Sequence, residues 1–279
     1  MLKINNFRIS IICISLIASY FISDTYENIL GFILILSIGV VHGANDLIII
    51  KKYSKKETKR SEPLHFFYYL TIVLLGFVFF YVFPSIALLT FVTVSIYHFG
   101  EQHWEVNLSK SNFVYRNKIF LFISHGIIFF IIIFINNLKI VNEVLSSFNV
   151  SPLEYYYLAI TLIVFSISYS FFILYLKNLR KYLFNEVVFF SLLFLLTINT
   201  TLILGFAIYF IFFHSLLSIK DQIKFIYDDD NPKNIKKYIS NSMPYFILAL
   251  IFLLIFYVVV DLETINLLPV IFTFLAAIT

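Results

Sequence analysis

Charge is scarce in this chain. Asp, Glu, Lys and Arg make up 13% of its 279 residues, about half the share of an ordinary soluble domain, so a water-solvated globular fold is excluded. Cysteine is nearly missing: Cys13 stands alone inside an apolar run, which rules out an internal disulfide and any cysteine-based zinc or iron–sulfur motif. The 7 glycines form no phosphate-cradling loop and no nucleophile elbow. Histidine boxes of the form His-x-x-x-His are absent as well. No polar interval exceeds roughly twenty residues, too few for a soluble domain.

What is abundant is apolar bulk. Hydrophobic residues reach 61% and the mean hydropathy is +0.93, and runs near the 17–25 residues that span a bilayer recur throughout. The pattern predicts an all-α, polytopic transmembrane bundle forming one integral membrane domain, 1–279. About ten spans (range 8–10) are expected, at 7–23, 29–50, 64–83, 84–104, 113–135, 155–176, 183–199, 201–219, 244–260 and 265–279. The 35 Phe and 19 Tyr read as lipid-facing bulk rather than an aromatic cage. A basic start followed by an apolar run also resembles a signal peptide, but Ser19-Tyr20-Phe21 is a poor cleavage site and the first run is read as a span.

The net charge of +4 does not point to nucleic acid, because the basic residues sit in short loops where they report topology. With a cytoplasmic N-terminus, every Lys and Arg except Lys139 falls on the inner side. Asp221-Gln222 and Asp228-Asp229-Asp230 alternate with lysines and read as a solvated cytoplasmic loop rather than a cation or diphosphate site.

Inside the spans, three polar stretches stand out: Val40-Val41-His42-Gly43-Ala44-Asn45-Asp46, Tyr97-His98-Phe99-Gly100-Glu101-Gln102-His103 and Phe212-Phe213-His214-Ser215. Ionisable groups at membrane depth cost about 2.5 kcal/mol or more and mark function by default. His42 follows the start of its span at Ile29 by 13 residues, His98 follows Pro84 by 14, and His214 follows Thr201 by 13. All three spans run inward, so the imidazoles share a depth of about 20 Å. Neutral imidazoles without sulfur suit iron, copper or zinc. Asp46, one turn after His42, or Asn45 would take its second N–H, and Glu101 would do the same for His98. Gly43 and Gly100 let helices approach closely. His103, beside Trp104, reads as interfacial. His125 with Gly126 is a reserve ligand, and His65 reads as exposed beside the basic loop.

In these residues the chain resembles the Brp/Blh family of bacterial and archaeal β-carotene 15,15′-dioxygenases. The shared blocks are Gly39-x-x-His42-Gly43-Ala44-x-Asp46, His98-Phe99-Gly100-Glu101 and Tyr209-Phe210-x-x-Phe213-His214-Ser215. The resemblance implies an integral membrane enzyme of the cell (inner) membrane. It would hold non-haem Fe(2+) and use O2 to split β-carotene centrally into two retinals, often for a retinal-binding rhodopsin. Two departures stand out. Ser218 occupies the position of a second histidine, so a four-histidine centre does not carry across, and His125 or His103 is left to complete the set. The end at Ala276-Ala277-Ile278-Thr279 resembles a family segment that continues with Pro-His, so a shortened chain with a ligand beyond Thr279 is expected. Two other readings compete: a different membrane metalloenzyme on isoprenoid lipids, or a carotenoid- or retinal-binding or transport protein without turnover.

Overall fold

The computed structural model describes residues 2–45, 48–49, 52, 62–108 and 115–259. Among these there is no strand; the chain is helical almost throughout. In chain order the helices are α1 (Leu2–Ser19), α2 (Asp24–Leu34), α3 (Val40–Gly43), α4 (Glu62–Val82), α5 (Pro84–Leu108) and α6 (Tyr115–Asn136). There follow α7 (Leu138–Ser147), α8 (Tyr155–Tyr175), α9 (Leu183–Ile198), α10 (Leu202–Tyr209), α11 (Leu216–Tyr227) and α12 (Pro232–Val259).

Five helical stretches are long and apolar enough to cross a membrane: Asp24–Gly43, Asn117–Asn136, Tyr155–Tyr175, Arg180–Ile198 and Leu202–Tyr227. Their outward faces carry large apolar side chains, such as Phe171 at 69% and Phe184 at 78% exposure, which water would penalise and lipid would not. Helix α5 is more polar, because its second half holds His98, Glu101, Gln102, His103 and Glu105.

The helices bearing His42 and His214 are both interrupted by a π-helical turn, Ile35–Gly39 in the first and Phe210–Ser215 in the second. A π turn inserts one residue into the helical register, and such turns concentrate at functional sites. Straight spans were expected at both places.

Other boundaries also differ from the sequence reading. The acidic stretch at Asp24 and Glu27 is not a loop but the first turn of α2. Glu27 is buried, and its carboxylate accepts from the backbone N–H of Thr201 at 2.7 Å, at the positive end of α10. The outside loop expected after Asn136 contains α7, whose Asn142 side chain pins Leu153 by both N–H and C=O. The polar interval after Lys220 is not an open loop. Helix α11 runs on to Tyr227, Asp228 turns the chain with φ 70°, and Asn231 caps α12 through the N–H of Asn234 at 2.9 Å. Helix α12 then passes through Pro244, where the sequence suggested a start. The segment expected at 265–279 lies outside the described residues.

Two compact units make up the chain. The first comprises Met1–Ile35, Val92–Ser146 and Val150–His214. There α2 packs on α10, α1 on α9, and α6 on both α8 and α9, around Phe99, Trp104, Phe129, Leu193 and Phe210. The second comprises the described residues within Leu36–Phe91, Ser147–Asn149 and Ser215–Thr279. In it Phe80 is buried against Phe91 and Phe148, and Tyr238 is fully buried beside α3.

Candidate metal centre

The first unit holds two histidine clusters, and the contact of α5 with α6 places both. A Cβ built on Gly100 would stand 1.8 Å from the carbonyl oxygen of Phe122, and one on Gly126 would stand 1.9 Å from that of Ile96. Only hydrogen fits at either point, so the two backbones touch directly, as small residues allow between membrane helices.

The first cluster joins His103 of α5, His125 of α6 and Glu186 of α9. One ligand atom from each lies within 4.8 Å of the others, and all three residues are buried. The Nε2–H of His103 donates to Glu186 Oε1 at 2.9 Å, and His125 Nδ1 lies 3.6 Å from Oε2. The imidazoles stack with centroids 3.8 Å apart. Around them the Tyr169 hydroxyl donates to Glu186 Oε2 at 2.8 Å and accepts from Trp104 Nε1–H at 2.9 Å. His125 Nε2 meets the Tyr209 hydroxyl at 3.3 Å. A buried carboxylate is tolerable only when paired and hydrogen-bonded, and here every neighbour serves that end. Two imidazoles and one carboxylate are also a donor set that divalent first-row metals take, so this group is able to bind a metal.

The second cluster is the pair His98 and His214, whose ring centroids are 4.7 Å apart in edge-to-face contact. His214 is buried within the π turn, and Nε2 of His98 is buried with no hydrogen-bond partner among the described residues. The pair is walled by aromatic rings: Phe99 lies 4.8 Å and Phe210 5.6 Å from His214, and Phe99 stacks on Phe130. A buried imidazole nitrogen without a partner costs desolvation energy that a ligand can return.

His42 belongs to the second unit and is buried there. Its Nδ1 lies 3.4 Å from the side-chain amide of Gln222, which in turn is hydrogen-bonded by the Tyr238 hydroxyl. Asn45 donates to the carbonyl of Tyr238 instead of serving His42. Gln222 is therefore not part of a solvated surface, as its polar neighbourhood suggested. It is half-buried on α11, beside the buried Ile223.

The remaining expected residues are placed as follows. Asp46 and the side chain of His65 lie outside the described residues. Glu101 is half-buried and accepts from the Tyr97 hydroxyl at 3.1 Å. Ser218 is half-buried on α11. His103 is not interfacial: it is 4% exposed, and its neighbour Trp104 is fully enclosed by Tyr169 and Tyr182. Tryptophan was read as a belt residue, but its N–H finds Tyr169 in the interior. His125, the reserve ligand, is also fully buried. Glu186 was missed altogether; its signal was a lone carboxylate four residues into an otherwise apolar helix.

Fold and site together define a helical protein with helices long and apolar enough to cross a membrane and buried side chains able to hold a metal. The family is more specific. Residues 33–279 match the family model described as beta-carotene 15,15′-dioxygenase, and the chain belongs to that family. No curated protein and no solved structure matches it.

Proposed function

We propose that the protein is an integral membrane dioxygenase that cleaves β-carotene at its 15,15′ double bond with O2, giving two retinals. His42, His98 and His214 would hold Fe(2+). The observation that carries this reading is the His98–His214 ring pair: His214 is buried, and half-buried His98 has its Nε2 enclosed without a hydrogen-bond partner among the described residues. His42 joins them on the strength of its equal depth in an inward-running span. The family supports a carotenoid substrate, and the five helices long and apolar enough to cross a membrane support a membrane protein; ten spans, a cytoplasmic N-terminus and a place in the inner membrane are part of the same proposal.

Iron supplies the activation of dioxygen when bound. The protein's own part is binding and alignment. β-Carotene has no polar handle, so only shape and apolar contact orient it, and rings such as Phe99, Phe206 and Phe210, packed against one another beside His214, make the surroundings of the imidazoles apolar. The same rings keep water from the imidazoles. Gln222, held by Tyr238, sets the ring plane of His42. Retinal leaves into lipid or to a rhodopsin acceptor.

The test is expression in cells that make β-carotene, with pigment extraction. Colour loss with retinal accumulation, abolished singly by His42→Ala, His98→Ala and His214→Ala but not by His65→Ala, is the expected result. Persistent orange despite good membrane expression would favour a carotenoid-binding protein without turnover. Full activity in all three histidine variants would remove the site assignment.

A further inference from the structure

We infer that the start of α12, residues 232–239, is a docking surface for anionic lipid headgroups, gripped by Lys233, Lys236 and Lys237 with Ile235 and Ile239 beside them. The inference rests on the membrane reading of the chain and not on the dioxygenase reading.

Length places this segment at the bilayer surface. Helix α12 has 28 residues, about 42 Å at 1.5 Å per residue. Its apolar stretch stops short of Asp261, and a hydrocarbon core of about 30 Å takes up roughly twenty residues before that point. Residues 232–239 are left for the headgroup layer. The pattern of faces agrees. Lys233, Lys236, Ser240, Ile247, Ile251 and Leu254 follow one another at spacings of three, four or seven and so share one side of the helix. All six are exposed, while Tyr238 and Ser242 are buried on the other side. The lysines therefore continue the stripe of large apolar side chains that lipid would cover.

Charge on this hairpin is segregated. Asp228 pairs with Lys52 at 3.4 Å, and Asp230 with Lys220 at 3.5 Å and Lys224 at 3.8 Å. Asp229 accepts from the side-chain amide of Asn231 at 2.7 Å. The acidic residues are thus answered by Lys52, by α11 and by the turn itself. No ion pair reaches Lys233, Lys236 or Lys237 among the described residues, and Lys237 lies over the Tyr227 ring instead. Three cations in the first turns of a helix are locally unfavourable, because its N-terminus already carries positive partial charge. An anionic headgroup relieves both. Ile235 and Ile239, exposed one turn apart, would sink into the headgroup–acyl boundary beside it. On the inner face of the same turn Tyr238 donates to Gln222, so lipid contact would also steady the support of His42.

The test uses the full chain in nanodiscs of phosphatidylcholine, alone or mixed with phosphatidylglycerol, with lysine acetylation read residue by residue by mass spectrometry. Lys233, Lys236 and Lys237 should be labelled about fivefold more slowly in the anionic discs, and high salt should remove the protection. Lys220 and Lys224, held by Asp230, should change little. Native mass spectrometry should show retained phosphatidylglycerol, which the triple variant Lys233→Gln, Lys236→Gln, Lys237→Gln loses. Equal labelling in both discs, or equal lipid retention by the triple variant, would overturn the inference. So would protection by inorganic phosphate in phosphatidylcholine discs, which would assign a free anion to these lysines. Labelling is independent of turnover: absence of retinal with the wild-type chain would count against the dioxygenase and leave the lipid result standing.

Discussion

Glu186 shows how a single side chain organises its surroundings. A lone carboxylate among apolar residues is costly, and its oxygens are answered by His103 on one side and Tyr169 on the other. Removing one partner of a buried pair leaves the other charge stranded, at about 3 kcal/mol or more. His103→Ala should therefore lower the thermal midpoint in detergent far more than Glu101→Ala, whose half-buried carboxylate accepts from Tyr97 alone among the bonds described. Gln222 offers a gentler case. Gln222→Leu takes away the amide beside His42 Nδ1 while keeping its volume. It should reduce retinal formation roughly tenfold, with little change in expression. An unaltered rate would show that His42 needs no such support.

Between helices, the glycines decide. At Gly100 and Gly126 a methyl group would meet backbone carbonyls, which cannot swing aside as a side chain can. Each Gly→Ala change should force α5 and α6 apart and destabilise by about 1–3 kcal/mol, with loss of retinal formation, because His98, His103 and His125 all ride on these two helices. Gly205→Ala should be milder, since its nearest neighbour is the Thr200 hydroxyl at 3.0 Å, a side-chain atom. The measurement is the yield and midpoint of the three variants side by side. Gly100 and Gly126 were visible in the sequence as small residues near histidines. That Gly100 meets the backbone of α6 at Phe122 and Gly126 that of α5 at Ile96 was not, because nothing in one helix announces which partner it meets.

For the chain as a whole, charge distribution carries the topology prediction. Reporter fusions after Lys139 should report the outer side and those after Lys181 the inner side; the reverse result would end the ten-span arrangement. Much of this layout was legible: α6, α8 and α9 begin and end within about three residues of the expected spans. Hydropathy was a poor guide where polar residues form amphipathic helices. The stretch from Lys220 to Met243 was read as a loop, although Asn231-Pro232 is a helix start that the sequence displays openly.

Helix content and the presence of apolar stretches long enough to cross a membrane were determined by the sequence alone. Each follows from what a residue costs in lipid, and that cost needs no partner to be evaluated. Which imidazoles meet was decided only by tertiary structure. His98 finds His214, while His103, His125 and Glu186 converge from three helices. The reason is rotational: depth along a helix can be counted in residues, but the direction a side chain faces depends on π turns, on glycine contacts and on the neighbour across the groove.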